Sequence, residues 1–204
     1  MKRVRCALTA LLLCLLLTGC RKEAPLENPV AIFTMLDGRT MRFELHLEAA
    51  PNTVADFAYL ANRGFYDGLE FFRIIPGVLV QSGCPNNDGS GNAGYTIKGE
   101  VAANGVNNPL SHTRGTLSMA RRSGDANYDT ASSQFFIMQG SYPEYDGQYA
   151  AFGTPLDDET LDTLDAIANR AVDSNQVPLE RVRISTVRVT GHDLNLTLYN
   201  EPIE

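Results

Sequence analysis

Two apolar runs separated by a turn signal begin the part of the chain that is patterned like a folded domain. In VAIFTMLDGRTMRFELHL, residues 30–47, Asp37-Gly38 stands between two β-rich segments, which is typical of a β-hairpin. The second segment has period two, with a buried face expected at Met41, Phe43, Leu45 and Leu47. The intervening polar residues predict a solvent-exposed face, and we expect His46 to lie at the surface.

The apolar period changes to that of an amphipathic helix in two places. In residues 50–68 apolar side chains recur at helical spacing, at Val54, Phe57, Ala58 and Ala61. We expect Asn52 or Thr53 to cap this helix and Gly64 to take the left-handed conformation at its end. In residues 154–170 the stripe is Leu161, Leu164 and Ala168, behind an acidic first turn that the helix dipole favours.

Short apolar runs broken by Gly, Pro, Asn and Asp fill most of the remaining chain. Residues 182–189 and 194–199 read as strands, the latter with an alternating face at Leu194, Leu196 and Leu198. Many short strands with only two helices predict a mainly β domain, a closed or nearly closed antiparallel barrel or a sandwich. Residues 30–200 contain no internal repeat or linker, so we expect one domain there.

The N-terminus has a pattern of its own. Three basic residues precede the apolar run CALTALLLCLLL, which is short for a membrane span. The run ends in LTGC, which resembles the bacterial lipobox and implies cleavage before Cys20 and diacylglycerol on its sulfur. We therefore predict a signal peptide at residues 1–19 and a tether at 20–29, and an uncleaved transmembrane anchor is the alternative. Both place the domain outside the cytoplasm.

Charge and cysteine content limit the binding partners and the disulfides that the domain can have. Removing three positive charges with residues 1–19 changes the formal net charge from −7 to −10, and an acidic domain argues against a nucleic-acid partner. Of the four cysteines, Cys6 and Cys14 leave with the signal and Cys20 takes the lipid. Cys84 is left alone without a disulfide partner. It is either a small buried residue or a reactive thiol.

Several motifs bear on nucleotide binding, metal binding or acid–base catalysis, and none of them supports these functions. GSGNAG, residues 89–94, matches the dinucleotide fingerprint by letter, but a strand-like segment follows it instead of a helix. We therefore expect a flexible loop. The three histidines have no ligand spacing, so no metal site is predicted. His112 is expected to be a hydrogen-bonded structural group, and the alternative is a catalytic base that would need a nucleophile nearby.

An arginine and a glutamine interrupt the apolar run FFRIIPGVLVQSG, residues 71–83. Pro76-Gly77 suits a tight turn, which would place Arg73 and Gln81 opposite each other. Gln134 and Phe136 are two residues apart and would share a strand face. Together they predict an apolar pocket with a few placed polar groups. The alternative is a buried arginine paired with a carbonyl or carboxylate.

Four segments resemble the cyclophilin family of peptidyl-prolyl isomerases: FFRIIPGVLVQSG, GTLSMA, SSQFFI and YDGQYAAFG, in family order across residues 30–190. The resemblance implies a closed eight-stranded antiparallel β-barrel capped by two α-helices. It also implies cis–trans isomerisation of X-Pro bonds without a cofactor or metal.

The resemblance assigns roles by position. Arg73 matches the catalytic arginine, Gln81 the glutamine that positions it, and Phe136 the aromatic floor of the proline pocket. Leu79 holds a pocket position that is usually methionine, and Ala120 and Gln134 match the peptide groove. Other substrate-binding positions differ from the familiar eukaryotic pattern: Val78 replaces phenylalanine, Arg121 asparagine, Glu144 tryptophan, Tyr145 leucine and Tyr149 histidine. The loop at residues 121–133 is longer than usual.

These inferences combine into one functional prediction. We expect a monomeric, lipid-anchored, extracytoplasmic isomerase that acts on proline-containing peptides and on unfolded exported proteins. The first alternative is a module that binds proline peptides with little turnover. The second is a structural envelope protein whose barrel only mediates contacts.

Overall fold

The computed structural model describes residues 28–124 and 126–191. The predicted signal peptide, Cys20 and the predicted strand at 194–199 lie outside the described residues. Within them are two helices, α1 Pro51–Asn62 and α2 Asp158–Ala168. The eight strands are β1 Val30–Met35, β2 Thr40–Leu45, β3 Arg73–Ile75, β4 Leu79–Ser82, β5 Leu117–Met119, β6 Phe135–Met138, β7 Ala150–Pro155 and β8 Ile184–Thr190.

All strand pairs are antiparallel, and the strands form one sheet in the order β3-β4-β6-β5-β7-β2-β1-β8. The mainly β architecture with two helices is therefore confirmed. The continuous ladder of a closed barrel is not seen, because β3 and β8 stand at opposite ends of the strand order. The segments just before these two strands approach each other instead, through the bridge Glu70–Arg183 and a 2.9 Å hydrogen bond from Phe71 N to Val182 O.

The first hairpin forms as its alternating pattern predicts. Met41, Phe43 and Leu45 are fully buried, whereas Leu47 is half-buried. His46 differs from the prediction, since its side chain is only 15% exposed. Its Nε2 lies 2.8 Å from Thr154 Oγ1 on the neighbouring strand β7, and this contact draws the ring against the sheet.

The core lies between the sheet and the helices, with α1 packed on β8 and α2 on β2. Aromatic rings dominate it, and the central ring of Phe135 makes edge contacts with Phe33 and Phe57 at 5.5 and 5.6 Å between centroids. Burial of such rings supplies a large share of the hydrophobic stabilisation. Neither helix of the described part of the chain is long and apolar enough to cross a membrane.

The predicted cap of α1 is wrong, whereas its predicted end is confirmed. The N-cap is Ala50, which offers no side-chain acceptor. Glu100, from a distant loop, accepts hydrogen bonds from the backbone N–H groups of Asn52 and Thr53, both at 2.9 Å. A carboxylate there also complements the helix dipole. Gly64 follows the helix with φ +77°, the left-handed conformation that glycine adopts without strain.

The substitution Glu100→Ala is expected to lower the free energy of unfolding by about 2 kcal/mol, because it leaves buried helix-end donors without acceptors. Urea unfolding of the variant measures this loss. The Glu100→Gln variant keeps one acceptor oxygen and should lose about half as much. Equal stability of all three proteins would show that the loop carboxylate does not cap α1.

Candidate active site

The β3–β4 hairpin places the two polar residues of the apolar run opposite each other. Arg73 pairs with Gln81 in the strand register, and Arg73 Nη1 donates to Gln81 Oε1 at 3.2 Å. Gly77, with φ +79°, supplies the left-handed position of the turn. The predicted juxtaposition of Arg73 and Gln81 is therefore confirmed.

A second glutamine links this pair to a loop. Gln81 Nε2 donates to Gln134 Oε1 at 3.0 Å, and Gln134 Nε2 donates to the carbonyls of Gly89 and Gly91 at 2.9 and 2.8 Å. The segment predicted to be a flexible loop thus supplies two backbone acceptors. The result is a chain of neutral amides that ends at the guanidinium.

A small apolar cluster, separate from the main core, forms the floor beside Arg73. Its buried members are Leu79, Phe136 and Met138, at most 4% exposed. Phe136 lies next to Gln81 in the register of β4 with β6. The ring is therefore part of a cleft floor and not of the central core.

Two adjoining cavities lie beside Arg73, and the first of them opens at this floor. One has a volume of about 380 Å³ and is lined by Arg73, Ile75, Leu79, Gln81, Ala120, Arg121, Ser123, Phe136, Tyr145 and Tyr149. The other, of about 330 Å³, shares Arg73, Gln81, Ala120 and Arg121 with the first and adds polar residues that include Gln134. Of the predicted cleft positions, which all lie in the described part of the chain, Val78 and Glu144 line neither cavity. Val78 packs at the edge of the apolar cluster.

The comparisons with known proteins agree with this geometry. Residues 30–189 match the sequence model of the family described as cyclophilin type peptidyl-prolyl cis-trans isomerase/CLD. The chain belongs to the cyclophilin family. It is an enzyme of the peptidyl-prolyl cis–trans isomerase class.

Relatives and solved structures give the extent of this similarity. Peptidyl-prolyl cis-trans isomerase B of Bacillus subtilis is 50% identical over 121 residues, 59% of this chain and 79% of that protein. A peptidyl-prolyl cis-trans isomerase of Helicobacter pylori is 44% identical over 146 residues, 72% of this chain and 85% of that protein. A Cryptosporidium parvum cyclophilin crystallised with the dipeptide Ala-Pro superposes with TM-score 0.70 and 28% identity, covering 79% of this chain and 98% of that one.

Aromatic side chains form one wall of the cyclophilin cleft. Tyr149 meets the floor ring of Phe136 edge-on at 5.3 Å, and Tyr145 does so at 6.0 Å. The guanidinium of Arg121 lies 4.8 Å from the Tyr149 ring centroid and donates from Nε to the Gln148 carbonyl at 2.9 Å. The Arg121 side chain therefore braces this wall.

Behind the floor lies His112, whose side chain is fully buried. Its ring stacks on Phe136 at 6.0 Å, its Nδ1 lies 2.8 Å from Asp146 Oδ1, and its Nε2 lies 2.9 Å from Ser118 Oγ. The hydrogen-bonded structural role is confirmed. The order Ser–His–Asp is that of a hydrolase triad, but Ser118 is 0% exposed and lines neither cavity, so no substrate reaches it.

The substitution His112→Phe is expected to lower the free energy of unfolding by about 2 kcal/mol at pH 8, because Ser118 loses its buried partner. Burial lowers the pKa of His112, although Asp146 opposes the shift. A lowered pKa means that the wild type loses stability as pH falls and the ring takes up a proton. The difference between the two proteins should therefore shrink from pH 8 to pH 5 in urea unfolding. A constant difference would contradict the neutral buried histidine.

Two contacts of the site could not be read from the motifs. Arg73 Nε donates to Gln176 Oε1 at 2.8 Å. Gln176 belongs to no recognisable sequence pattern. Cys84 is 0% exposed, and its Sγ accepts from Gly91 N at 3.2 Å. The prediction of a small buried residue at Cys84 is confirmed, and its sulfur helps to hold the glycine loop that Gln134 contacts.

Proposed function

We propose that Arg73, Gln81 and Phe136 carry out the isomerisation. Twisting an X-Pro bond breaks amide resonance against a barrier of ~18–20 kcal/mol. Reducing the uncatalysed time of about 10–100 s to milliseconds requires roughly 10⁴-fold acceleration, about 5.5 kcal/mol of barrier. In the twisted state the proline nitrogen regains a lone pair. A guanidinium N–H directed at that nitrogen stabilises the transition state more than the planar ground state.

One observation carries this proposal: the charge of Arg73 faces a cavity and is not neutralised. Neutral amides hold Nε and Nη1. Among the described residues, no carboxylate pairs with Arg73 and no acceptor binds its Nη2. The alternative of an arginine buried against a carboxylate therefore lacks support. A guanidinium keeps its proton at any physiological pH, so it remains a donor throughout the reaction.

The rest of the cleft would hold the peptide. The pyrrolidine ring would lie on Phe136 and Leu79, and the peptide backbone would run past Ala120 and Gln134. The Ala-Pro dipeptide present with the Cryptosporidium protein supports this class of ligand. Tyr145 and Tyr149 would contact the residues beside the proline, with Arg121 as their brace. Val78 would shape the rim from the edge of the cluster.

The decisive experiment is a proline-isomerisation assay on the chain that begins at Arg21. An isomerase accelerates the conversion of an X-Pro peptide in proportion to its concentration. A binding module would retain the peptide without acceleration, and that result would replace our proposal with the first alternative. The well-formed cleft beside Arg73 argues against the second alternative, a barrel that only mediates contacts.

We further propose that the protein acts outside the cytoplasm as a monomer on exported proteins, anchored by lipid at Cys20. The basic start, the apolar run and LTGC support the lipid anchor and the location outside the cytoplasm. The substitution Cys20→Ser is expected to move the protein from the membrane fraction to the soluble fraction and to abolish labelling by radioactive palmitate. Cys84→Ser is the matched control and should leave both unchanged. Labelling that persists in Cys20→Ser would refute the anchor.

We also propose that the sheet is held as a closed barrel. The support is a set of three backbone hydrogen bonds between residues 68–71 and 182–184. Besides the bond from Phe71 N to Val182 O, Ile184 N donates to Leu69 O at 2.9 Å and Gly68 N donates to Ile184 O at 3.0 Å. They join the two edges without a regular ladder.

A further inference from the structure

Two side chains from different segments of the chain hold the guanidinium of Arg73. Gln81 accepts from Nη1 at 3.2 Å, and Gln176 accepts from Nε at 2.8 Å, the shorter of the two. We propose that Gln176 is a positioning residue for the isomerase reaction, which orients the guanidinium toward the proline nitrogen. This inference rests on the catalytic role proposed for Arg73.

Hydrogen bonds fix the loop that carries Gln176 and hold it next to the strand of Arg73. Asp173 Oδ1 accepts from the backbone N–H groups of Asn175 and Val177 at 2.8 and 2.9 Å, and Asp173 N donates to Val177 O at 2.9 Å. These bonds close a tight turn. Ile74 N, the neighbour of Arg73 on edge strand β3, donates to Gln176 O at 2.9 Å. The turn is thereby fixed to the strand that carries the arginine.

The backbone at Gln176 is in a conformation that glutamine rarely adopts. Its φ is +67°, and Asn87 is the other non-glycine residue with a positive φ in the described part of the chain. Glycine takes this region freely and asparagine tolerates it, whereas a longer side chain is strained there. Such strain persists where the rest of the structure requires it, often at functional sites. A glutamine here points to a use for its side chain.

Its contact with Arg73 supplies that use. An acceptor on Nε and another on Nη1 fix both the plane and the rotation of the guanidinium, because the group is rigid. Both acceptors are neutral, so the positive charge is positioned without being paired. Nη2 is left for the substrate. Orientation of this kind lowers the barrier through the transition state and contributes little to ground-state binding.

The substitution Gln176→Gly separates positioning from stability. It removes the side chain and relieves the backbone strain, so the thermal midpoint should stay equal or rise. The value of kcat should fall about tenfold with KM changed less than twofold. In nuclear magnetic resonance spectra of arginine side chains, the Nε–H signal of Arg73 should exchange faster with water. If Gln176 had only a structural role, the substitution would leave both kcat and the exchange of the Nε–H signal unchanged.

Two further variants complete the experiment. Gln176→Asn tolerates the same φ and keeps an amide but is one methylene shorter, so it should lose kcat like the glycine variant. Asn175→Gly changes the neighbouring exposed residue of the same turn and should keep full activity. In an Arg73→Ala background, Gln176→Gly should cause no further loss, because the two residues act as a unit.

The outcomes distinguish this inference from the proposal on which it rests. If Arg73→Ala is inactive while both Gln176 variants keep kcat within twofold, the positioning role is overturned and the role of Arg73 stands. An equal loss from Gln176→Gly with and without Arg73 also overturns it. If Arg73→Ala is as active as the wild type, both proposals fail.

Discussion

Replacing Arg73 with alanine is expected to lower kcat/KM for X-Pro isomerisation by about a hundredfold or more, the scale of removing one preorganised donor from a transition state. The guanidinium lies at the wall shared by both cavities, with its charge unpaired by any carboxylate among the described residues. Alanine leaves the apolar floor intact, so a proline peptide should still bind. The loss should therefore appear in kcat, measured by exchange spectroscopy on a peptide with both isomers populated.

Two variants make this result interpretable. Arg73→Lys keeps a positive charge but has no planar fork for Gln81 and Gln176, so it should recover only part of the rate. Arg114→Ala removes an exposed arginine paired with Asp165 on α2 and should keep full activity. Circular dichroism establishes that each variant is folded. A fully active, folded Arg73→Ala protein would refute the electrostatic mechanism.

Local patterns predicted the parts of the site that lie close together in sequence. The turn at Pro76-Gly77 fixes the register between Arg73 and Gln81, because a tight hairpin allows few pairings. The alternation across β2 likewise predicted which side chains enter the core. The roles in the cleft came instead from the resemblance to cyclophilins, since no pattern says that Phe136 is a cleft floor and not core.

The contacts that could not be predicted join distant parts of the chain. Gln176 reaches Arg73 across 103 positions, and Glu100 reaches Thr53 across 47. A glutamine in a polar loop and a lone glutamate have no periodicity that would reveal their partners. Nor does a sequence show a positive φ at a non-glycine residue. The side chains that hold the site and cap α1 are thus fixed by tertiary packing, which local patterns do not encode.

A buried acid contributes to the expected response of stability to pH. Asp56, on α1, is 0% exposed; its Oδ1 accepts from Tyr95 OH at 2.5 Å, and its Oδ2 has no partner. Burial raises the pKa of Asp56 to about 6, against the opposing bond from Tyr95. A pKa raised above the unfolded value means that folding favours the protonated acid. This contribution is fully present below about pH 3.8 and is lost as pH rises toward about 6.

The substitution Asp56→Asn is therefore expected to raise the free energy of unfolding by about 3 kcal/mol at pH 8 and to have little effect at pH 4, since a shift of about two pKa units is worth that much. The asparagine oxygen can still accept from Tyr95, so the variant keeps that hydrogen bond. Urea unfolding at both pH values measures the difference. Asp162→Asn makes the same chemical change at an exposed position of α2 and should alter stability little at either pH. If Asp56→Asn destabilises the protein equally at both pH values, the carboxylate is required in its charged form. Burial would then not set the pKa of Asp56.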